Sequence, residues 1–234
     1  MTIVTRYPTA LSGAVVPLPL MAWETGLAVN RRWVPGRLPA SGSIANWVSN
    51  EGALLAQGSV APTVGTEGGV KHALFSGADQ CQLNISGLTE ADLRTIVVIA
   101  RPNTGDTFFT SSGNAPIFST NSLIVSQGVN ADVAALGGAS VGSSLTALRD
   151  RWHMYAVSIP APSGTGVLVV DNSDTTFPAS ATSQNALRLA RSSTANFRQL
   201  RVLEVFTSGT AYNATQLKAM YAKVKAWYPN LTWG

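Results

Sequence analysis

Cysteine is almost missing from this chain: Cys81 is the single one among 234 residues. One thiol excludes an intrachain disulfide and any zinc site built from cysteines. It sits in the strand-like run QCQLNI (80–85), where a small buried hydrophobe is its ordinary role. A chain without disulfides suits folding in a reducing compartment. Histidine is nearly as scarce, with His72 and His153 only. Both stand in strand-like segments without clustered partners, which reads as core or edge histidine rather than ligand or base. Charged residues make up 12% of the chain, about half the usual share for soluble domains. Gly, Ser, Thr, Ala and Asn take their place.

The formal charge is +4, but the basic residues are scattered. Only Arg31-Arg32 and a looser set (Arg188, Arg191, Arg198, Arg201) approach a patch. Nucleic-acid binders concentrate their basic residues on one face or stripe, so nucleic acid is not an expected partner. No run approaches the ~20 apolar residues that a membrane span needs. The apolar stretch 10–23 is broken by Pro17 and Pro19 and lacks the framing of an export signal. Phosphate-loop chemistry is excluded as well. Gly65-Thr66-Glu67-Gly68-Gly69 has no lysine and the wrong context. No cofactor or metal is called for.

What is present is a long series of strand-like runs with one helix at the end. HALFSG (72–77), QCQLNI (80–85), LRTIVVIARP (93–102), WHMYAVSI (152–159) and GVLVVD (166–171) are apolar or β-branched and bounded by turn residues. Shorter candidates lie at 44–49, 107–110, 116–119, 122–126, 131–136, 175–177 and 186–190. Four bulky apolar residues in a row, Ile96 to Ile99, predict a central strand covered on both faces. Asp171-Asn172-Ser173-Asp174 has the composition of a hairpin turn. A short helical turn is expected at 89–93. The closing strand LRVLEVF (200–206) and the turn 207–210 lead into NATQLKAMYAKVKAWYP. There Asn213 with Gln216 makes a capping box. Leu217, Met220, Tyr221, Val224 and Tyr228 recur at helical spacing, and Pro229 stops the helix. About a dozen short strands without an internal linker predict one all-β domain, a sandwich or jelly roll.

Residues 1–43 differ. Pro8, Pro17, Pro19, Pro35 and Pro39 forbid long regular elements, yet Tyr7, Val15, Val16, Leu18, Leu20, Trp23 and Trp33 are too apolar for a solvated linker. The segment either packs on its own sandwich or is an extended arm that docks on a partner.

The order of ANWV (45–48), PTV (62–64), ALFSG (73–77), TIVVIARP (95–102), WHMYAVSI, GVLVVDN, FRQLRVLEVF (197–206) and YNATQLKAMYAKV (212–224) resembles the concanavalin A-like lectin/glucanase superfamily. The form is laminin-G-like, as found in bacteriophage structural proteins. The match covers about 44–229. Arg198-Gln199 stand where the family has a preceding Gly, and residues 1–43 have no counterpart.

The resemblance implies a two-sheet antiparallel β-sandwich over 44–234, with one short C-terminal α-helix and an irregular N-terminal arm over 1–43. It further implies a non-enzymatic virion protein of a capsid, tail or baseplate, assembled in the host cytoplasm and acting as a homo-oligomer among other virion proteins. In that role Tyr7, Val15, Val16, Leu18, Leu20, Trp23 and Trp33 would bury against a partner while Arg6, Arg31, Arg32 and Arg37 fix orientation at the rim. The Glu-x-Asp-x-x-Glu pattern of the family's glucanases is absent. Glu24, Glu51, Glu67, Glu90 and Glu204 stand isolated, so no catalytic carboxylate pair is expected. Glu204 reads as pointing to solvent or pairing with Arg201. Some relatives bind Ca²⁺, for which 171–174 and Asp106 are the local candidates, although a turn selects the same residues. A lectin-like module binding cell-surface glycan is the second function the family suggests. No tryptophan stands out as a sugar platform, and Asn103, Asp106 and Asn114 are the loop groups available for a shallow site.

Overall fold

The structure is a computed structural model. It describes residues 27, 29, 31–34, 36, 43–44, 54–56, 62–76, 83–86, 88–103, 114–120, 123–128, 132–137, 145–160, 163–180, 186–190 and 199–234. The strands run in chain order as β1 (Arg31–Trp33), β2 (Ser43–Ile44), β3 (Leu54–Ala56), β4 (Thr63–Glu67), β5 (Val70–Ser76), β6 (Leu83–Ser86), β7 (Thr95–Pro102) and β8 (Asn114–Ser119). They continue as β9 (Leu123–Gly128), β10 (Asp132–Gly137), β11 (Leu145–Thr146), β12 (His153–Ser158), β13 (Ser163–Val170), β14 (Ser173–Ser180), β15 (Ala186–Leu189) and β16 (Gln199–Ser208). Helix α1 (Ala214–Trp227) follows.

These strands form two antiparallel sheets. The first has the order β14-β13-β12-β7-β16-β5-β4, with β1 also on β16. The second has the order β11-β10-β9-β8-β15-β6-β3-β2. The fold is a two-sheet antiparallel β-sandwich, as the strand count and turn chemistry predict.

Strand β7 shows why its sequence is continuously apolar. Ile96, Val98 and Ala100 point into the inter-sheet core with Phe75, Phe118, Tyr155 and Phe177. Val97 and Ile99 point the other way, into a second core with Trp152, Met154, Leu203 and Phe206. A strand with apolar layers on both sides cannot alternate with polar residues. Helix α1 closes the second core with Leu217, Met220, Tyr221 and Val224. Its predicted cap is formed: Gln216 N–H donates to Asn213 Oδ1 and Asn213 N–H to Gln216 Oε1, each at 3.0 Å. No helix among the described residues is long and apolar enough to cross a membrane.

After Tyr228 the chain turns back over the outer face of the first sheet. Trp152 N–H donates to Thr232 O (2.9 Å) and Gly234 N–H to Trp152 O (3.1 Å). The tail therefore adds a short parallel rung to the entry of β12. The β4–β5 turn presses on it from the other side. Gly68 has φ 53°, and a Cβ there would come within 2.6 Å of Asn230 O.

Several expectations need correction. The boundary at 44 put Arg31, Arg32 and Trp33 in a partner-gripping arm, whereas they form β1 inside the sandwich. Strand β5 pairs with β16 only from Gln199 to Val202. The remaining half of β16 needs a neighbour, and β1 supplies it opposite Val205–Thr207. Trp33 is fully buried in the inter-sheet core. Arg31 pairs with Asp92 at 2.7 Å, fixing β1 to the 3-10 turn Glu90–Asp92. Burial alone would raise the Asp92 carboxyl, but hydrogen bonds from Arg31 and Thr89 outweigh it and hold it below the usual range. Pro35 and the shortness of the run hid this strand in the sequence. Elsewhere β14 and β16 extend beyond 175–177 and 200–206, since cross-strand pairing overrides local turn propensity. Of the expected strands at 44–49 and 80–85, residues 45–49 and 80–82 (Cys81 among them) lie outside the described residues, as does the whole of 107–110.

Candidate functional site

Three polar groupings lie on the outer face of the first sheet, and they differ in how completely they are satisfied. The first is Glu204, fully buried and not directed to solvent or Arg201 as the sequence suggested. An irregularity between Val202 and Glu204 in the pairing with β7 brings both Leu203 and Glu204 to the helix side. There Arg32, only 2% exposed, reaches the carboxylate through Nε at 3.0 Å and Nη2 at 2.8 and 2.6 Å. Tyr228 O–H at the end of α1 donates to the same carboxylate, and the guanidinium lies 5.1 Å from the Phe206 ring centre. Charge, geometry and hydrogen bonding are all closed internally. This is a structural latch.

The second grouping lies on β4, β5, β7 and β16. Glu67 accepts from Arg101 and from Arg201 (3.0 Å), and Asp150 stands 3.9 Å from Arg101. Two cations thus face two carboxylates. His72 lies against Trp152, ring centres 5.5 Å apart. Burial first, then the Arg201 charge, lowers its pKa below the ordinary 6.5.

The third is open. A cleft of about 1160 Å³ runs between α1, the β13–β14 turn and the returning tail. On the helix, Lys218, Tyr221, Ala222, Lys225 and Ala226 line it, a stripe at i, i+3, i+4, i+7 and i+8 beside the buried face. The two alanines leave room, and Tyr221 belongs to both faces. Across the cleft stand Asp171, Asn172 and Ser173; Trp233 lines the tail side and Leu148 another rim. Trp233 meets Tyr221 edge to face with ring centres 5.8 Å apart, and its indole N–H is anchored on Tyr228 O at 3.0 Å. Leu148 is 57% exposed, so the rim offers bare apolar surface.

The turn is held rigidly. Asp171 has φ 57°, a left-handed conformation that Asp tolerates. Its Oδ1 accepts Met154 N–H at 2.9 Å, and its Oδ2 lies 2.5 Å from His153 Nδ1. The other ring nitrogen, Nε2, lies 2.8 Å from Leu148 O. Both carboxylate oxygens are engaged inward, so the sequence 171–174 acts as a turn. By contrast, Asn172 and Ser173 are exposed and their side chains make no hydrogen bond among the described residues. Burial, then the Asp171 charge, pushes the Tyr221 phenol up to about 12, so it stays a neutral O–H donor at physiological pH.

Sequence reasoning did not single out this cleft. Of the loop groups it named, Asn103 donates to Gln199 at 3.3 Å, Asn114 opens β8 in the opposite sheet, and Asp106 lies outside the described residues. Of the partner-binding set, Arg6, Tyr7, Val15, Val16, Leu18, Leu20, Trp23 and Arg37 also lie outside the described residues. His72 and His153 are buried, as expected of core or edge histidines.

No protein-family model matches the sequence, and no curated protein sequence matches it. Solved structures do share the fold. The chain is similar to Trypanosoma rangeli sialidase in complex with the inhibitor DANA, with TM-score 0.63 and 11% identity over 89% of this chain and 35% of that one. It is similar to the binding domain of Paraclostridial Mosquitocidal Protein 1, with TM-score 0.61 and 8% identity over 85% and 52%. A third similar structure is the binding domain of botulinum neurotoxin serotype D/C, with TM-score 0.57 and 7% identity over 86% and 53%. The chain thus spans about a third of the sialidase and half of each toxin chain, and at these identities the likeness establishes a shared sandwich fold.

Proposed function

We propose that this chain is a non-enzymatic carbohydrate-binding module whose site is the cleft between α1 and the β13–β14 turn. The observation that carries the reading is the half-buried Trp233, propped edge to face on the buried Tyr221, facing an open volume also lined by Asn172 and Ser173, whose side chains make no hydrogen bond among the described residues. Saccharides present C–H faces to aromatic rings and hydroxyls to amide and hydroxyl groups, so this is the lining they need. Proteins of the same fold include sialidases solved with sialic acid and toxin binding domains, which supports a recognition role. The acidic residues support binding without turnover. Asp171 is turned inward, Glu204 is latched, and no second acidic side chain stands among the described residues that line the cleft. A glycan array followed by titration tests this. Trp233→Ala and Asn172→Ala should each weaken the best ligand about tenfold, a loss of roughly 1.4 kcal/mol. Silence across a broad array, or unchanged affinity in both variants, would overturn the site.

A second reading concerns where the module works. The phage-like order of the sequence motifs favours a bacteriophage virion protein that attaches through Arg6, Tyr7, Val15, Val16, Leu18, Leu20, Trp23 and Arg37. Arg31, Arg32 and Trp33 leave that set because they are built into the sandwich. Deleting residues 1–26 should leave a folded domain that no longer copurifies with particles. Normal incorporation of the shortened chain would remove this reading.

A further inference from the structure

We propose that the cleft selects saccharides carrying a carboxylate, an inference that rests on the carbohydrate reading of the same site. Two side-chain ammonium groups and one side-chain carboxylate, Lys218, Lys225 and Asp171, line the cleft together with His153 and the backbone of Gly234. Asp171 is turned into the protein, with Oδ1 accepting from Met154 N–H and Oδ2 beside His153 Nδ1. Lys218 is already paired with Asp174 on β14. Lys225 is different. It has no carboxylate partner among the described residues, and its ammonium lies 5.6 Å from the centre of the Tyr221 ring.

That position sets the Lys225 ammonium against the aromatic side of the cleft. A sugar ring resting against Trp233, over the buried Tyr221, lies in the cleft that Lys225 also lines. A neutral ligand there would strip water from the ammonium without replacing it, which is unfavourable. A carboxylate on the same ring supplies a charge-assisted hydrogen bond instead. The opposite side, with Asn172 and Ser173, donates and accepts without adding charge, so it suits the hydroxyls of the remaining sugar. Two sources of this chemistry exist, a uronic acid and a sialic-type acid, and both are served by the same lining.

The test compares two oligosaccharides, one ending in a uronic acid and one in sialic acid, each against its own methyl ester. Calorimetric titration is run at low and high salt. At least one acid should bind about tenfold more tightly than its ester, with the advantage shrinking as salt rises, because the pair is partly exposed. The acid that shows the preference identifies the source. Lys225→Ala should bring acid binding down to the level of the ester, Lys225→Arg should restore most of it, and Lys223→Ala, an exposed helix lysine away from the cleft, should change nothing. Acid and ester binding equally would overturn the charge selection and leave the carbohydrate reading standing. Binding of none of the four ligands, with silence on a broad array, would defeat both. A preference that survives Lys225→Ala would show that another group makes the selection.

Discussion

The two flanks of helix α1 hold similar kinds of side chain and use them oppositely. On the β1–β16 flank, Arg32, Glu204 and Tyr228 form a network that excludes water and satisfies itself. On the β13–β14 flank, Lys225, Asn172 and Ser173 face an open cleft beside Tyr221 and Trp233. A polar group whose partners are all internal holds the fold together. A polar group at the mouth of a cleft with no hydrogen-bond partner among the described residues is available to something outside. Stability should therefore be sensitive on the first flank and binding on the second.

The largest effect is expected from separating the buried pair. Glu204→Ala or Arg32→Ala should each cost about 3–5 kcal/mol in denaturant unfolding, since either leaves one buried charge uncompensated. The triple variant Arg32→Met, Glu204→Leu and Tyr228→Phe should recover most of that loss, because an apolar set of similar volume carries no desolvation penalty and strands no phenol. Losses below ~1 kcal/mol in the singles would mean that water reaches the latch and that the two flanks are alike.

A smaller effect follows from His72 beside the second grouping. Its pKa in the folded chain lies below the unfolded value of 6.5, chiefly through burial. A neutral ring therefore favours the folded state above 6.5, and this contribution is lost as pH falls through the folded pKa. Unfolding followed by fluorescence should show stability declining on acidification, and His72→Gln should flatten that decline. An identical pH profile in the variant would remove His72 from the account.

Next comes the cap of the helix that both flanks share. Asn213→Ala should cost about 1 kcal/mol and lower the thermal midpoint without altering the cleft's chemistry. The smallest stability effects belong to the open flank. Asn172→Ala and Lys225→Ala should each change unfolding by no more than ~0.5 kcal/mol while weakening ligand binding. A large destabilisation there would erase the distinction between the flanks.

The sequence shows this division unevenly. Helix α1 was readable in full, because its capping box and its apolar spacing are local signals. Strand β7 was readable because a continuous apolar run of that length has few other uses. The latch was not. Arg32 and Glu204 are 172 positions apart, and the pairing irregularity at Leu203 turns the carboxylate to a side that simple alternation does not give. Strand β1 is three residues long, too short for a period to register. The cleft was hidden for a different reason. It is assembled from the turn, the helix, the tail and the rim at Leu148, and only the tail's return over Trp152 brings Trp233 to Tyr221. One local signal did exist in the stripe Lys218, Tyr221, Ala222, Lys225 and Ala226. It marks a helix face with small residues, an aromatic ring and cations beside the buried one.

Chemical-shift mapping of the labelled domain during titration with its best array ligand tests the central claim most directly. Saturable changes at the Trp233 indole, the Tyr221 ring and the Asn172 side-chain amide, all with one dissociation constant, are the predicted result. Saturable changes confined to the second sheet, with those three signals unmoved, would contradict the account.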